Sequence, residues 1–465
     1  MTAPGGLGLA RVTVVAPKRR IDVALPDSAL VGELLPHLLR HAGEDLPSAE
    51  DEQADWTLRR TTGAELEVTR NLAAQGVRDG ELLQLVPRQM DWPELAYDDV
   101  VEVVASGARR AGRSWGKQAT RACGLGVTAA LLTFGLVGLL LAGPPWQVPG
   151  LAALGLALLL AIVGIVLSRS GGDAAAGAVA AGTGQLYALV GGLLVAAPAG
   201  TSLLRLGAPH VLLSGAALLV FAVIGLTGVG AVQRLFTAGI GVGSSAVLAA
   251  LLCYGGMSAA GAAAVAVTLA IGLLPGYPLI ASWLGKLPVP ELPDRPEKIL
   301  EDRPVPPRTG VFASVARSIE LLSGMLLAAA IVGSAGAFVL LRAGGTGGWL
   351  LTLAAATALL LRGRLFPTPQ QRLPLLVSGV LALALLTLEL TLRMHGGARL
   401  LVVLGIVIAV ILVLTATLTY TTRTPSPYLG RLADILDVVA IMALVPLAAS
   451  VVGIYHAIQG VFASI

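Results

Sequence analysis

The chain has 465 residues, of which 55% are hydrophobic and only 13% are charged, and its mean hydropathy is +0.81. These values exclude an ordinary water-soluble protein, because globular domains carry about twice that share of charged residues. The formal net charge is +4, yet residues 1–100 are acidic, with ten Lys and Arg against seventeen Asp and Glu. The sequence therefore predicts a soluble N-terminal part followed by a membrane-embedded remainder.

The first predicted elements form a small cytoplasmic domain over residues 1–90. Residues 9–16 and 21–25 alternate between apolar and polar side chains, which predicts a hairpin of two strands. The helix that follows has one apolar face, at the spacing i, i+3, i+4, i+7 and i+8, made by Val31, Leu34, Leu35, Leu38 and Leu39. Two further strands are predicted, one from Trp56 and one over 81–86. The order β-β-α-β-β indicates an α+β domain.

Residues 91–121 are predicted to form a basic helical linker. The segment 101–121 holds five basic residues against Glu102 alone, and these are Arg109, Arg110, Arg113, Lys117 and Arg121. A basic segment directly before an apolar run is attracted to an anionic cytoplasmic leaflet, although a merely solvated helix face explains Arg109 and Arg110 equally well. Residues 1–8 lack the pattern of a signal peptide, so the first apolar run is expected to remain as a spanning helix.

Residues 122–465 are predicted to form a transmembrane domain of about eleven helices. A spanning helix needs about 20 predominantly apolar residues. The segments that meet this requirement are 122–142, 148–168, 175–197, 209–230, 235–256, 259–283, 318–341, 347–362, 373–393, 398–420 and 434–458. The eighth is short, and its bounds are the weakest. The abundant Gly and Ala within the spans, as in Gly239 to Gly243, are expected to serve close helix packing, with a glycine-lined conduit or hinge as the alternative.

The positive-inside rule predicts the orientation of these spans. With the N-terminus in the cytoplasm, only four basic residues of the later loops fall outside, namely Arg205, Arg342, Arg393 and Arg399. Thirteen fall inside, namely Arg169, Arg234, Lys286, Arg295, Lys298, Arg303, Arg308, Arg317, Arg362, Arg364, Arg372, Arg423 and Arg431. The C-terminus is therefore predicted to lie on the outer side of the membrane.

One predicted cytoplasmic loop, 285–310, is rich in proline. Its prolines favour extended polyproline II segments, which serve either as a spacer or as an arm against a partner domain. The exposed Leu, Val and Ile side chains of the loop favour the arm.

Ionisable residues within the spans are rare. Glu389 and Arg393 are spaced for an i,i+4 pair, whereas Glu320, Asp434 and Asp437 are predicted near cytoplasmic helix starts, where acidic groups suit the helix dipole. The chain has no nucleotide-binding, zinc-protease or nucleophile-elbow motif. We therefore expect no enzyme activity, no catalytic residue, no metal and no cofactor.

The whole chain resembles the EccD family of type VII (ESX) secretion systems. The fragments that carry the resemblance, in chain order, are Arg11-Val-Thr-Val-Val-Ala-Pro17, Gly76-Val-Arg-Asp-Gly80, Tyr97-Asp-Asp-Val-Val101, the proline-rich loop, and Ser426-Pro-Tyr-Leu-Gly-Arg-Leu-Ala-Asp434. The resemblance implies that the N-terminal domain is a ubiquitin-like β-grasp fold. The domain has no Gly-Gly tail, so conjugation is excluded and docking is expected.

The resemblance also implies a function. An EccD protein is a multi-pass subunit of the bacterial inner membrane that forms a homodimer around a lipid-filled vestibule and assembles with EccB, the motor ATPase EccC and EccE. It serves the export of helical effector dimers indirectly and binds no nucleic acid. The expected partner contacts are Asp98, Asp99, Arg109, Arg110, Arg113, Pro304, Pro306 and Pro307.

The alternative is a secondary transporter of a small solute with an accessory cytoplasmic domain. Transporters of this kind show internal repeats and polar groups at the membrane midplane. The sequence shows no convincing repeat and little polarity at that depth, so the secretion subunit is the favoured interpretation.

Overall fold

The computed structural model describes residues 8–16, 20–42, 56–60, 63–87, 115–198, 207–288, 307–420, 426–455 and 459. The chain divides into two compact units, residues 1–114 and residues 115–465. The division lies inside the predicted linker, most of which is outside the described residues.

The first unit is built on a four-stranded sheet. Its strands are β1 (Leu9–Val15), β2 (Arg20–Pro26), β3 (Trp56–Arg60) and β4 (Leu82–Pro87), and helix α1 (Val31–Ala42) follows β2. The strand order is β2-β1-β4-β3, with β1 and β4 parallel and the other neighbours antiparallel. The first and last strands thus lie side by side at the centre, which is the β-grasp arrangement that the family resemblance implies.

The core of this unit lies between α1 and one face of the sheet. All five apolar residues of the predicted helix face are buried. They pack with the inward residues of β1, β3 and β4, namely Val12, Val14, Leu58, Leu83 and Leu85. His37 and His41 are exposed on the opposite side of α1. The helical and alternating periodicities therefore both matched the buried faces.

The second unit consists of helices throughout its described residues. Its twelve α-helices are α2 (Lys117–Leu141), α3 (Gln147–Arg169), α4 (Ala174–Val195), α5 (Ala208–Gly228), α6 (Gln233–Tyr254), α7 (Ala259–Gly272), α8 (Tyr277–Leu284), α9 (Arg308–Ala343), α10 (Thr346–Gly363), α11 (Pro369–Arg393), α12 (Gly397–Tyr420) and α13 (Pro427–Val452). Ten segments of the described chain are long and apolar enough to cross a membrane, with 259–284 counted as one.

Helix α10 corresponds to the short eighth span of the prediction. It has 18 residues and is therefore about 27 Å long, close to the hydrocarbon thickness of about 30 Å. It packs against α9, α11 and α13 and is not among the ten segments. With α10 included, each of the eleven predicted spans has a helical counterpart.

The largest differences from the predicted spans are one interruption and two helix starts. The sixth span is interrupted between α7 and α8 by a short 3-10 turn at Leu274–Gly276, because Pro275 has no N–H to continue the helix. Helix α9 begins at Arg308 rather than near 318, directly after the last proline of the loop. Helix α13 begins at Pro427 rather than at 434, since the Ser426 hydroxyl caps its first turn by accepting the Tyr428 N–H at 3.3 Å.

Small residues allow the helix backbones of the second unit to approach closely. A Cβ added at Gly243 of α6 would lie 2.8 Å from the carbonyl oxygen of Gly215 on α5, and a Cβ at Gly177 would lie 2.5 Å from that of Gly164. Between Gly239 and Gly243 each glycine faces a neighbouring helix. These distances support the packing interpretation of the glycines.

Candidate interaction surfaces and polar contacts

The predicted partner contacts lie almost entirely outside the described residues. Those outside are Asp98, Asp99, Arg109, Arg110, Arg113, Pro304 and Pro306. Pro307 is described: it is exposed, and its backbone is extended (φ −61°, ψ 131°) immediately before α9. The role of all eight residues as partner contacts therefore stays a prediction.

Most interhelical polar contacts of the second unit lie at one end. Because helices that cross a membrane alternate in direction, the starts of α2, α4, α6, α9, α11 and α13 share one end, which we call the basic end. Arg121 of α2 pairs with Asp173 at the start of α4, with an N–O distance of 2.6 Å. Arg234 of α6 lies 3.6 Å from the carboxylate of Glu320 on α9. Arg169 donates to the carbonyl oxygens of Thr227 and Gly228, where α5 ends.

The most buried ion pair of the described residues connects α10 with α13, and a more exposed pair lies beside it. Arg362 lies 3.0 Å from Asp437, and both side chains are largely buried, with exposed fractions of 16% and 8%. Arg364 pairs with Asp434, which lies one turn before Asp437, and also donates to the carbonyl oxygen of Gly430. Within the described residues, Arg362 Nε, Arg364 Nε and Asp437 Oδ1 have no hydrogen-bond partner. Two charged pairs therefore fix the basic end of α13 against α10.

These pairings correct the sequence interpretation of three acidic residues. Glu320 lies twelve residues inside α9, and Asp434 and Asp437 lie two or more turns inside α13. At those positions they cannot act on the free N–H groups of a helix start, which are confined to the first turn. Their negative charges are instead balanced by arginines of neighbouring helices. The predicted pair of Glu389 and Arg393 is present.

Asp173 has a double role at the start of α4. Its carboxylate accepts the backbone N–H of Ala176 at 2.9 Å, which caps the helix, and it also accepts a hydrogen bond from Arg121. These two interactions, the backbone hydrogen bond first, hold the pKa of Asp173 below its ordinary value of 3.8. The carboxylate therefore remains charged at any pH near neutrality.

A second group of basic residues at the basic end is exposed and forms no ion pair among the described residues. The members of this group are Lys117, Lys286, Arg308, Arg317, Arg372 and Arg431. Their charges remain available to anionic lipid headgroups or to acidic partners. The basic residues at this end are thus of two kinds: some bind groups of neighbouring helices, and the others are exposed without an ion pair among the described residues.

Two apolar helices have little contact with the rest of the unit. None of residues 397–419 of α12 is buried, and the helix packs mainly against α11. In α2 only Leu136 is buried. Helix α2 is joined to α4 by a hydrogen bond in which the Tyr187 hydroxyl donates to the carbonyl oxygen of Leu132 at 2.7 Å. By contrast, α4 and α9 are mostly buried. The unit therefore has a central bundle and two helices that present apolar surface to the membrane or to partners.

The interhelical polar contacts join neighbouring helices to one another. In the part of the chain that the structure describes, no three His, Cys, Asp or Glu residues are grouped so that they could hold a metal ion. The sequence analysis missed the pairing of Arg362 with Asp437 and of Arg234 with Glu320. The sequence did contain a signal for these pairs. Arginines and carboxylates were predicted at the same end of the bundle, and charged side chains that are buried need partners of opposite charge.

Comparison with known proteins identifies both units. Residues 120–461 match the family model described as "EccD-like transmembrane domain". Residues 9–85 match the model of "WXG100 protein secretion system (Wss), protein YukD". Two strains of Mycobacterium tuberculosis have a relative called "ESX-4 secretion system protein eccD4", which is 27% identical, with 97% of each chain covered.

Two solved structures have the same fold. One, "Structure of protomer 1 of the ESX-3 core complex", is 22% identical with a TM-score of 0.58 and covers 97% of this chain and all of its own. The other, "MycP5-free ESX-5 inner membrane complex, State II", is 19% identical with a TM-score of 0.55 and covers 90% of this chain and all of its own. At these identities the likeness concerns the fold.

Proposed function

The chain belongs to the EccD family of membrane proteins, and from this premise we propose that it is a core subunit of a type VII (ESX) secretion complex in a bacterial inner membrane. The observation that carries the proposal is the combination of both units in one chain, since a YukD-like domain precedes an EccD-like transmembrane domain over nearly the whole length. The relative that matches across both units carries the name of an ESX secretion protein.

We infer that the subunit acts as a scaffold and not as an enzyme or a pump. Among the described residues, the charged side chains that are buried or half-buried within the helices are engaged in ion pairs, as Arg362 is with Asp437 and Arg234 with Glu320. A pump needs ionisable groups that change partner or protonation during transport. A partner ATPase of the EccC type would then supply the energy for secretion.

The two peripheral helices suit a role in assembly. Helices α2 and α12 expose apolar side chains on most of their surface, which is the surface that a second copy or bound lipid covers in a membrane. The proposed assembly is a homodimer around a lipid-filled vestibule, joined by EccB- and EccE-type subunits. The exposed basic residues at the basic end support a cytoplasmic position of that end, with the C-terminus outside.

The first unit is proposed to dock the ATPase. Its β-grasp sheet and α1 form a closed core of their own, so it can present a surface without support from the membrane unit. The proposal predicts that deletion of residues 1–90 abolishes co-purification of the ATPase from membranes that contain the whole operon. Membrane insertion should persist, because the spanning helices lie after residue 114.

A matched pair of substitutions in α1 tests whether docking requires the folded domain and not merely the presence of residues 1–90. Leu38 is buried in the core, whereas the adjacent His37 is exposed. Leu38→Asp should behave like the deletion, because a carboxylate cannot be accommodated in that core, and His37→Asp should retain the ATPase. Undiminished capture of the ATPase by the deletion variant would contradict the docking role.

A further inference from the structure

A cavity inside the second unit has a volume of about 450 Å³. This volume falls within the range of small-molecule sites, about 300–1,000 Å³. Its wall is formed by α2, α4, α5, α6 and α9, and nearly all of its side chains are apolar or small. Leu186 and Ile331, which line it, are exposed side chains, and the cavity is partly open and not enclosed. The cavity can therefore be entered from the membrane.

The cavity wall contains one buried amide whose hydrogen-bonding capacity is not used. Gln185 is only 6% exposed, and its Nε2 donates one hydrogen to the carbonyl oxygen of Leu235 at 3.2 Å. Its Oε1 has no partner among the described residues. An unpaired buried carbonyl is costly, and an amide has two donor hydrogens as well as two acceptor lone pairs. One donor and one acceptor function are thus left at this wall.

The local packing leaves space for this amide. A Cβ added at Gly239, which also lines the cavity, would lie 2.4 Å from Gln185 Oε1. The terminal torsion of a glutamine side chain is broad, so the amide, which is itself part of the cavity wall, can adjust its orientation to a bound group. The neighbouring Thr183 differs, because its hydroxyl already donates to carbonyl oxygens of its own helix.

A second cavity of about 190 Å³ adjoins the first. Val242 and Ile331 line both, and the second cavity continues along α6 and α9 toward Ala249 and Val339, away from the basic end. Its lining is apolar apart from Ser245, whose hydroxyl donates to the carbonyl oxygen of Gly241. The two cavities together form an apolar channel, and among the described residues that line it only Gln185 has a buried side-chain polar atom without a partner.

We propose that this channel binds a neutral, long-chain membrane lipid with a free hydroxyl group, which Gln185 recognises. A hydroxyl both donates and accepts one hydrogen bond and so matches the two unused functions of the amide, while the hydrocarbon chain occupies the apolar channel. A charged headgroup is excluded, because no side chain of opposite charge lines either cavity. The site lies within one subunit, so it goes beyond the proposed function and differs from a vestibule between two copies.

The test uses two probes that differ only in the donor. The purified full chain in phospholipid nanodiscs is photolabelled with hexadecan-1-ol that carries a mid-chain diazirine, or with the methyl ether of the same alcohol, and labelled residues are mapped by mass spectrometry. We expect the alcohol to label the cavity segments of α4, α6 and α9 about fivefold more than the ether, which corresponds to one net hydrogen bond. Equal labelling by both probes overturns the proposal, and this comparison needs no variant.

Two substitutions assign the selectivity to the amide. Gln185→Met preserves the approximate size of the side chain and should lower the ratio of alcohol to ether labelling to about one, since the thioether donates no hydrogen bond and accepts only weakly. Thr183→Val removes a hydroxyl from the same wall, but one that is already satisfied, and should leave the ratio unchanged. A ratio that persists in a folded Gln185→Met variant would show that Gln185 does not recognise the hydroxyl. Neither result depends on the secretion partners.

Discussion

Arg362 and Asp437 form the most buried ion pair in the described part of the membrane unit. Breaking such a pair leaves an uncompensated buried charge, which costs about 3–5 kcal/mol. We therefore predict that Arg362→Met lowers the stability of the detergent-solubilised protein by about that amount, measured as a drop in Tm and in resistance to denaturant.

The double substitution Arg362→Met with Asp437→Leu is the control for this prediction. It removes both charges and should recover most of the loss, because a buried pair is often replaceable by apolar side chains of similar volume. If the double variant were no more stable than Arg362→Met, packing and not charge would explain the effect.

Asp173 gives a prediction of pH dependence. Its pKa is lowered below 3.8 by the Ala176 N–H and by Arg121, so its ionised form stabilises the folded state at pH values above 3.8, and this contribution is lost as the pH falls through the lowered pKa. Asp173→Asn retains a capping oxygen but not the charge. The Tm of the parent protein should exceed that of Asp173→Asn at pH 6, and the difference should shrink below pH 3.8. A difference independent of pH over this range would refute the role of the charge.

Residue-level inference from the sequence succeeded where partners are close in the chain and failed where they are distant. The pair of Glu389 and Arg393 follows from i,i+4 spacing alone. The pair of Arg364 and Asp434 is separated by 70 positions, and no local pattern indicates which helices are neighbours. The unused amide of Gln185 was likewise hidden, because its environment is made by four other helices.

At the scale of elements, the approach of α5 to α6 depends on paired glycines. A Cβ at Gly243 would meet the Gly215 carbonyl oxygen at 2.8 Å and the Leu219 nitrogen at 3.0 Å, both of them backbone atoms. Gly243→Ala should therefore force the helices apart and cost about 1–3 kcal/mol, the usual range for overpacking. The measurement is the Tm of the purified variant.

Gly155 of α3 offers the matched control. A Cβ there meets nothing within 4 Å, and alanine is the better helix former by about 1 kcal/mol. Gly155→Ala should be neutral or stabilising. Equal destabilisation by both substitutions would mean that helix flexibility, and not close contact, requires these glycines.

The length of the apolar segments predicted where the helices lie, but proline and capping residues determine where they begin. Helix α9 extends ten residues before the predicted span, since the segment after Pro307 contains no further proline and its polar residues are compatible with a helix outside the membrane. The start of α13 could have been predicted, because Ser426-Pro427 is a capping residue followed by proline at the first helical position. The hydropathy pattern does not report such signals, as it detects only the apolar part of a helix.

At the scale of the whole molecule, two independent patterns defined the architecture. Alternation of period two with one amphipathic helix predicted the small α+β unit, whose β-grasp fold the family resemblance implied, and repeated apolar segments predicted the bundle. The central positions of α4 and α9 and the peripheral positions of α2 and α12 could not be predicted, since all four helices are apolar on every side. Gly and Ala in α4, such as Gly177, Gly184 and Gly191, mark helices that approach others closely, whereas α12 is rich in large side chains.

The division of charge between the two ends of the bundle predicts its orientation in the membrane. Cysteines introduced at Ser170 and Gln370 lie at the basic end, and cysteines at Thr346 and His395 lie at the opposite end; all four positions are exposed. In intact cells, a membrane-impermeant maleimide should label the Thr346→Cys and His395→Cys variants only, because loops rich in Lys and Arg remain in the cytoplasm. The background chain carries Cys123→Ser and Cys253→Ser, so that neither native thiol reacts. Permeabilised cells should give labelling at all four positions. Labelling of Ser170→Cys in intact cells would contradict the predicted orientation, and with it the predicted cytoplasmic position of the β-grasp unit.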